Sequence, residues 1–355
     1  MVLMAVIFDN LHWNSRRIDS YNKSINFIFG PREPGKTTAM WLKIYNGWKK
    51  DKRPWIYLVR NSVEINEALI DSIFDTTINK FTDDNITPQY VKGAFKEGIV
   101  DVKIEGVIIF RIVSLNIQLR RIKLAVLRNA KGCFMDEYIV NPKNGEKYLK
   151  DEWYKIKEAF TTWRRECEGD FKMYFTANPY SLYNPIFVGL GIDLSKLKKG
   201  EIFVGDYFAI EWVSLSPKLK EWLLEKNPFY KFDEDYSDYA LEGSSMNDKH
   251  IRLSSMPKDF YLQYILRFEG KEIGVYKARY YVEDGDRFYI GEIKDFSKAK
   301  TVFCFDFEDI VGNSALISYE DRLRFSSLKK ALSKNKVVFD SIPIYYLIVE
   351  IYTFI

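Results

Sequence analysis

The stretch FIFGPREPGKTTAM, Phe27 to Met40, constrains this chain more than any other. Its Gly30, Gly35, Lys36 and Thr37 satisfy GxxxxGK[ST], a pattern that builds a phosphate cradle only where a strand enters it and a helix leaves it. Both flanks are expected here. The apolar run Ile25 to Phe29 leads in, and in KTTAMWLKIYNGWKK the residues Met40, Trp41, Ile44, Tyr45 and Trp48 recur at helical spacing. Glycines let backbone N–H groups turn inward, and the helix start adds its positive dipole end. Gly30, Pro31, Arg32, Glu33, Pro34, Gly35, Lys36, Thr37 and Thr38 are therefore expected to surround the phosphates of a nucleotide. Lys36 would neutralise the β and γ oxygens. The Thr37 hydroxyl would sit on Mg²⁺, a cation that takes only one or two ligands from protein.

A phosphate loop needs an acidic partner, and CFMDEY is the one short apolar run that closes on adjacent carboxylates. Asp136 would hold the Mg²⁺ and Glu137 would polarise the attacking water. Adjacent Asp and Glu point to ATP hydrolysis with a carboxylate-positioned water, and NPKNGEKYLKD is not the guanine-reading NKxD motif. Arg32, inside the loop, could touch the γ-phosphate or hold Glu137; a solvent-facing loop arginine is its ordinary alternative. Arg164 and Arg165, in TTWRRE near a helix end, could reach the nucleotide of a neighbouring subunit or simply line a charged helix face. Asn178, after KMYFTA, falls beside the expected γ-phosphate or merely ends a strand before Pro179.

The rest of the chain must build a sheet around this loop. WIYLVR, GCFMDEY and FKMYFTANP read as strands, while SVEINEALIDSIFDTTINKF, with Ser62 as N-cap, and GEKYLKDEWYKIKEAFTTWRRECEG read as helices. That alternation predicts an α/β domain with a mainly parallel sheet. IVDVKIEGVIIFRIVSL reads as a hairpin turning at Glu105 and Gly106 and added at a sheet edge. A P-loop domain is expected over residues 1–208 and a linker or small helical bridge over 209–248. A second, mixed α/β domain is expected over 249–355, with hairpin signals at EG and DG.

Composition narrows the chemistry. The 355 residues, 47% of them hydrophobic, suffice for two folded units. His12 and His250 are the only histidines, and Cys133, Cys167 and Cys304 form no CxxC pair, which argues against zinc sites and disulfide frameworks and for a reducing cytoplasm. The net charge of +4 permits nucleic-acid binding without demonstrating it. MVLMAVIF is too short and lacks the basic region of a secretory signal. VVFDSIPIYYLIVEIYTFI, interrupted by Asp340, Pro343 and Glu350, reads as a buried terminal element, so no membrane partner is expected.

With these residues in hand, the chain resembles the DNA-packaging ATPases of small short-tailed bacteriophages, a terminase-like branch of the P-loop translocases. The resemblance rests on NFIFGPREPGKTTAM, WIYLVRN, FMDEY and FTANPYSLYNPIF, and covers residues 20 to 205 in motif order. It implies a P-loop NTPase of the additional-strand, catalytic-glutamate type that binds ATP and Mg²⁺. It also implies a homomeric ring, a pentamer, that docks in the host cytoplasm at the portal vertex of a procapsid and pumps double-stranded DNA. A structural packaging RNA is a further implied partner. On this resemblance Asp136 and Glu137 take the Walker B and catalytic-glutamate roles, and Arg32 that of the loop arginine. Arg164 or Arg165 would be the trans-acting finger, Arg60 an arginine that responds to nucleotide state, and Asn178 part of the coupling segment.

The same resemblance implies that the second domain is like an RNase H nuclease. Its first strand, FYLQYILRF, carries no Asp, Asp284 and Asp286 flank a DG turn, and Asp306 in VFCFDFED is the strand carboxylate to watch. A vestigial, binding-only domain without nuclease activity is expected. DNA contacts could come from Lys49, Lys50, Lys52 and Arg53, from Arg120, Arg121 and Lys123, or from Lys196, Lys198 and Lys199, each also readable as a solvated face. The alternatives outside packaging are a helicase or other nucleic-acid-dependent ATPase, and a phosphotransferase or nucleotide-sensing module.

Overall fold

The computed structural model of the chain describes residues 11–82, 84–141, 146–167, 169–180, 184–190, 192, 197–232, 236–237, 240–241, 251–268, 270–280, 287–293, 301–305, 307–318, 321, 325–333 and 336–351. Asp284, Asp286, Asp306 and Lys196 lie outside the described residues. Two compact units divide the chain, residues 1–246 and 247–355.

In the first unit the strands are β1 (Ile25–Phe29), β2 (Trp55–Val59), β3 (Ile99–Ile104), β4 (Val107–Ser114), β5 (Gly132–Met135), β6 (Lys172–Ala177), β7 (Ile202–Val204) and β8 (Phe208–Trp212). They form one sheet in the order β3-β4-β2-β5-β6-β1-β8-β7. From β4 to β8 all neighbours run parallel, and β3 and β7 close the two edges antiparallel. The central strands read as near-continuous apolar runs because both of their faces are covered. Phe27, Phe29, Ile56, Leu58, Cys133, Met135, Met173 and Phe175 join one core, while Ile28, Trp55, Tyr57, Phe134 and Tyr174, alternating with them, join the other.

Helix α1 (Lys36–Asp51) covers the second face with Met40, Trp41, Ile44, Tyr45 and Trp48. Helix α4 (Glu152–Glu166) covers the first with Ile156, Ala159 and Trp163. Between them in sequence lie α2 (Glu67–Ile73) and α3 (Leu119–Leu124). The expected N-cap at Ser62 is corrected: Ser62–Glu64 is a tight single turn, and α2 starts later, its first turn capped by the Asn66 side chain accepting from the Leu69 amide at 2.9 Å. Burial of Ile65 holds the chain extended between the two, which a helical reading of the whole stretch overlooks.

The expected hairpin is present. Glu105 (φ 51°) and Gly106 (φ 80°) form its two-residue turn, both left-handed as such turns require. Its second strand does more than decorate an edge, because β4 pairs in parallel with β2 from Trp55 opposite Phe110 to Val59 opposite Ser114. The stretch 209–248, read from the sequence as a bridge, supplies β8 beside β1 and helix α5 (Pro217–Lys226). Leu219 and Leu223 of α5 sink into the first unit's core. The small helical bridge of the sequence reading is thus a helix packed on the first unit's core rather than a free connection.

The second unit holds β9 (Phe260–Phe268), β10 (Lys271–Ala278), β11 (Phe288–Gly291), β12 (Val302–Cys304), β13 (Ser314–Leu316) and β14 (Val337–Phe339) in the order β13-β12-β9-β10-β11-β14. β9, β10 and β11 are antiparallel neighbours, β12 and β13 run parallel to β9, and β14 runs parallel to β11. Helices α6 (Ser326–Ser333) and α7 (Ile342–Ile351) contribute Leu328, Ile348 and Ile351 to its core. Among the described residues no helix is long and apolar enough to cross a membrane.

Candidate nucleotide site

The loop between β1 and α1 is shaped by close approach. A Cβ on Gly30 would stand 2.5 Å from the Val213 carbonyl oxygen, on the segment that leaves β8, so no larger residue fits there. Gly35, at φ 82°, turns the chain into α1 in a left-handed conformation that a side chain would strain. Lys36 follows at once. Its Nζ is buried and donates to the carbonyls of Gly30 (3.0 Å) and Pro31 (2.5 Å) and to Asn178 Oδ1 (3.4 Å). Burial pulls its pKa down to about 7, against the opposing charge of Asp136.

Asp136 leaves the carboxyl end of β5. Its Oδ2 accepts from Thr37 Oγ1 at 2.8 Å, and its Oδ1 accepts from the Glu137 amide at 3.0 Å and from Thr176 Oγ1 on β6. Burial raises its pKa, while the two hydroxyls and the amide hold the shift back. Glu137 adopts φ 51° and presents its side chain on the exposed wall of the pocket. Its pKa is raised by partial desolvation first and then by the charge of Asp136, with Arg32 and Arg60 working the other way.

These groups line one cavity of about 540 Å³ together with His12, Trp13, Arg32, Glu33, Pro34, Thr38 and Phe81, a volume in the range of small-molecule sites. Its donor set suits the hard cation of a nucleotide complex: a threonine hydroxyl and a carboxylate oxygen already in contact, with room for phosphate and water to supply the rest. Among the described residues no group of three or more His, Cys, Asp or Glu could hold a metal alone. Another cavity, about 470 Å³, lies along the β3–β4 hairpin; of its charged lining residues Asp101, Lys103 and Arg111, Asp101 and Arg111 are paired with each other at 2.6 and 2.9 Å.

The remaining expected residues are placed unevenly. Asn178 lies beside Lys36, as its place after β6 implied. Arg32 donates to the Tyr180 hydroxyl at 2.8 Å, and its amide donates to Ala240 O at 2.8 Å. Arg164 and Arg165 are exposed in the last turn of α4, toward the amino end of β6 and away from this chain's own pocket. Of the basic clusters, Lys49 pairs with Asp84 (2.7 Å), Arg121 with Glu97 (3.7 Å) and Lys123 with Glu158 (2.8 Å), while Arg53 donates to Asn129 O and Ala130 O.

Sequence reasoning missed several contributors. Thr176 was legible only as a polar residue near the end of an apolar strand. Trp13 donates its amide to Pro34 O at 2.8 Å and its indole to buried Glu211 Oε2 at 3.0 Å, so the segment before β1 clamps the loop onto β8. Nothing local signals that contact, which joins residues 198 positions apart. His12 and Phe81 likewise reach the pocket only through the fold.

Residues 7–353 match the family described as Podovirus DNA encapsidation protein (Gp16). The DNA packaging proteins of Bacillus phage PZA and Bacillus phage phi29 are each 22% identical over 336 residues, 94% of this chain and 94% of theirs. Among solved structures, the bacteriophage Phi-29 viral genome packaging motor assembly contains a chain of similar fold, with TM-score 0.66, 20% identity, and 97% and 99% of the two chains covered. The Phi-28 gp11 DNA packaging motor has TM-score 0.60 at 17% identity, covering 93% and 94%.

Proposed function

This chain belongs to the podovirus DNA encapsidation protein family, and from that premise we propose that it is the ATP-hydrolysing subunit of a motor that packages double-stranded phage DNA. One observation carries the enzymatic half of this reading: the phosphate-loop threonine and the strand-end carboxylate meet at 2.8 Å, with Lys36 and Glu137 on the same cavity. Pocket geometry alone would fit many ATPases. The relatives named as DNA packaging proteins, matched along nearly the whole chain, support DNA as what the energy moves.

In this reading the loop amides and Lys36 hold the polyphosphate, with a neutral fraction of Lys36 regaining its proton as phosphate charge arrives. Thr37 and Asp136 would hold Mg²⁺, which would neutralise charge building on the phosphate oxygens. Glu137 orients and polarises the attacking water; its raised pKa brings it nearer to the operating pH of a base. Asn178 senses the terminal phosphate through Lys36, and Arg32 acts from the rim. Arg164 or Arg165 acts on the nucleotide of the next subunit in a homomeric, pentameric ring; their placement far from their own pocket favours action in trans.

The position of β6 between β1 and β5 supports the additional-strand class of catalytic-glutamate ATPases. The β11-β10-β9-β12-β13 order, antiparallel across the first three and parallel beyond, supports an RNase H-like second unit. With no carboxylate on β9, that unit binds nucleic acid and does not cut it. The portal of a procapsid and a structural RNA complete the proposed partners, and the site of action is the portal vertex in the host cytoplasm.

The test is the ATPase rate measured against protein concentration, with and without double-stranded DNA at low salt. A rate per subunit that climbs with concentration and rises further with double-stranded DNA is expected. Hydrolysis indifferent to DNA would remove the translocase reading, and a preference for single strands would replace it with strand separation.

A further inference from the structure

Arg60 and Glu152 form an ion pair with almost no access to water. Arg60 is 7% exposed and Glu152 3%. Arg60 follows β2 directly, and Glu152 is the first residue of α4, so the pair bridges one end of the sheet to the helix on its face. The contact is side-on and bidentate: Nε to Oε2 and Nη2 to Oε1, both 2.9 Å. Glu152 Oε2 also accepts the Leu149 amide at 2.9 Å, which fixes the carboxylate from its own side.

The fork of Arg60 is not used up by this pair. Nη2 also donates to Tyr138 O at 3.0 Å and Nη1 to Glu137 O at 3.4 Å. Glu137 stands at φ 51°, a conformation that a non-glycine residue keeps only when its surroundings over-determine it. Its own amide is tied to Asp136 Oδ1, and its carbonyl is tied to Arg60. The direction in which the Glu137 carboxylate leaves the main chain is thereby set from both sides of one residue. A desolvated pair is weak evidence for stability, since an apolar replacement of similar volume is often no worse. Its place, with one end on the Glu137 carbonyl, points to a role of another kind.

We propose that Glu152 is a positioning residue for hydrolysis: it aims the Arg60 guanidinium at the Glu137 and Tyr138 carbonyls, holds Glu137 in its left-handed conformation, and ties that residue to helix α4. The inference rests on the role of Glu137 given above. Because α4 carries Arg164 and Arg165 at its other end, a displacement of that helix reaches Glu137 through this pair. Lysine cannot substitute for Arg60 here, since a single ammonium cannot meet a carboxylate side-on and two carbonyls at once.

The experiment measures kcat, KM and the affinity for a fluorescent non-hydrolysable ATP analogue in the full-length chain, alongside its melting temperature. E152Q, nearly isosteric but uncharged, should lower kcat by about 10- to 100-fold while KM and analogue affinity stay within about twofold. E152D, which keeps the charge, should recover part of the lost kcat. R60K should repeat the E152Q split, and it carries the test if E152Q does not fold. Wild-type kcat in E152Q, E152D no better than E152Q, or kcat and analogue affinity falling together would each overturn the proposal. A wild-type chain that binds the analogue yet hydrolyses no ATP would instead remove the functional reading on which the proposal stands.

Discussion

The two units bury polar groups for different purposes. Among the described residues the first buries Asn26, Lys36, Arg60, Thr77, Ser114, Asn141, Glu152, Thr176, Asn184 and Glu211, whereas the second buries only Asp309. Lys36 lines the pocket, Thr176 donates to its Asp136, Arg60 holds the Glu137 carbonyl, and Glu152 holds Arg60. Asp309 pins a turn: its Oδ1 accepts the Gly270 amide at 2.7 Å, and its carbonyl accepts from Arg267 and from Cys304 Sγ, each at 3.1 Å. A buried polar group costs desolvation wherever it lies, so its accumulation in one unit marks where geometry has been set against stability.

That contrast can be broken most easily at the arginines. R164A or R165A should lower hydrolysis by about 10³-fold or more if that residue completes a neighbour's site. Either variant mixed with K36A should then regain activity at the mixed interfaces. Failure to regain it with both would confine the chemistry to a single chain. Next in size is E137Q, expected to lose about 10²- to 10⁴-fold in kcat with nucleotide affinity intact; near-normal turnover would reject its role. The wild-type acidic limb should sit above the ordinary carboxylate midpoint of about 4.3, because burial and Asp136 both raise the Glu137 pKa and protonation removes the base.

A smaller effect sharpens the contrast from the other side. D309A should cost about 1–3 kcal/mol by leaving the Gly270 amide without its acceptor. It should lower the melting temperature while DNA-independent hydrolysis stays at the wild-type rate. Lost hydrolysis would mean that the second unit supports the site after all. The smallest signal is a proton. Because burial lowers the Lys36 pKa, arriving phosphate charge that raises it again should give net proton uptake on nucleotide binding that grows as the pH rises from 7 to 8. Calorimetry in buffers of different ionisation heat reads this directly, and zero uptake at pH 8 would contradict the buried setting of the lysine.

Much of this architecture was legible in the sequence because its signals are short-ranged. The loop motif, the apolar spacing of α1 and the turn at Glu105 and Gly106 each lie within a few residues of what they specify. The acidic couple was legible as well, since an apolar run ending in two carboxylates has few uses beside a phosphate loop. The start of α2 was misread where local propensity competed with burial, as at Ile65, and the burial of α5 was not legible because chiefly Leu219 and Leu223 mark its inner face.

By itself, then, the order of amino acids determined the candidate residues for the proposed chemistry and which strand and helix would present the loop. Only the tertiary structure decided the company they keep. Thr37 meets Asp136 across 99 positions, Arg60 meets Glu152 across 92, and Trp13 meets Glu211 across 198. The physical reason is that hydrophobic spacing fixes faces of single elements, while partners for buried charge are chosen by strand order. That order depends on which sheets and helices can close a core together.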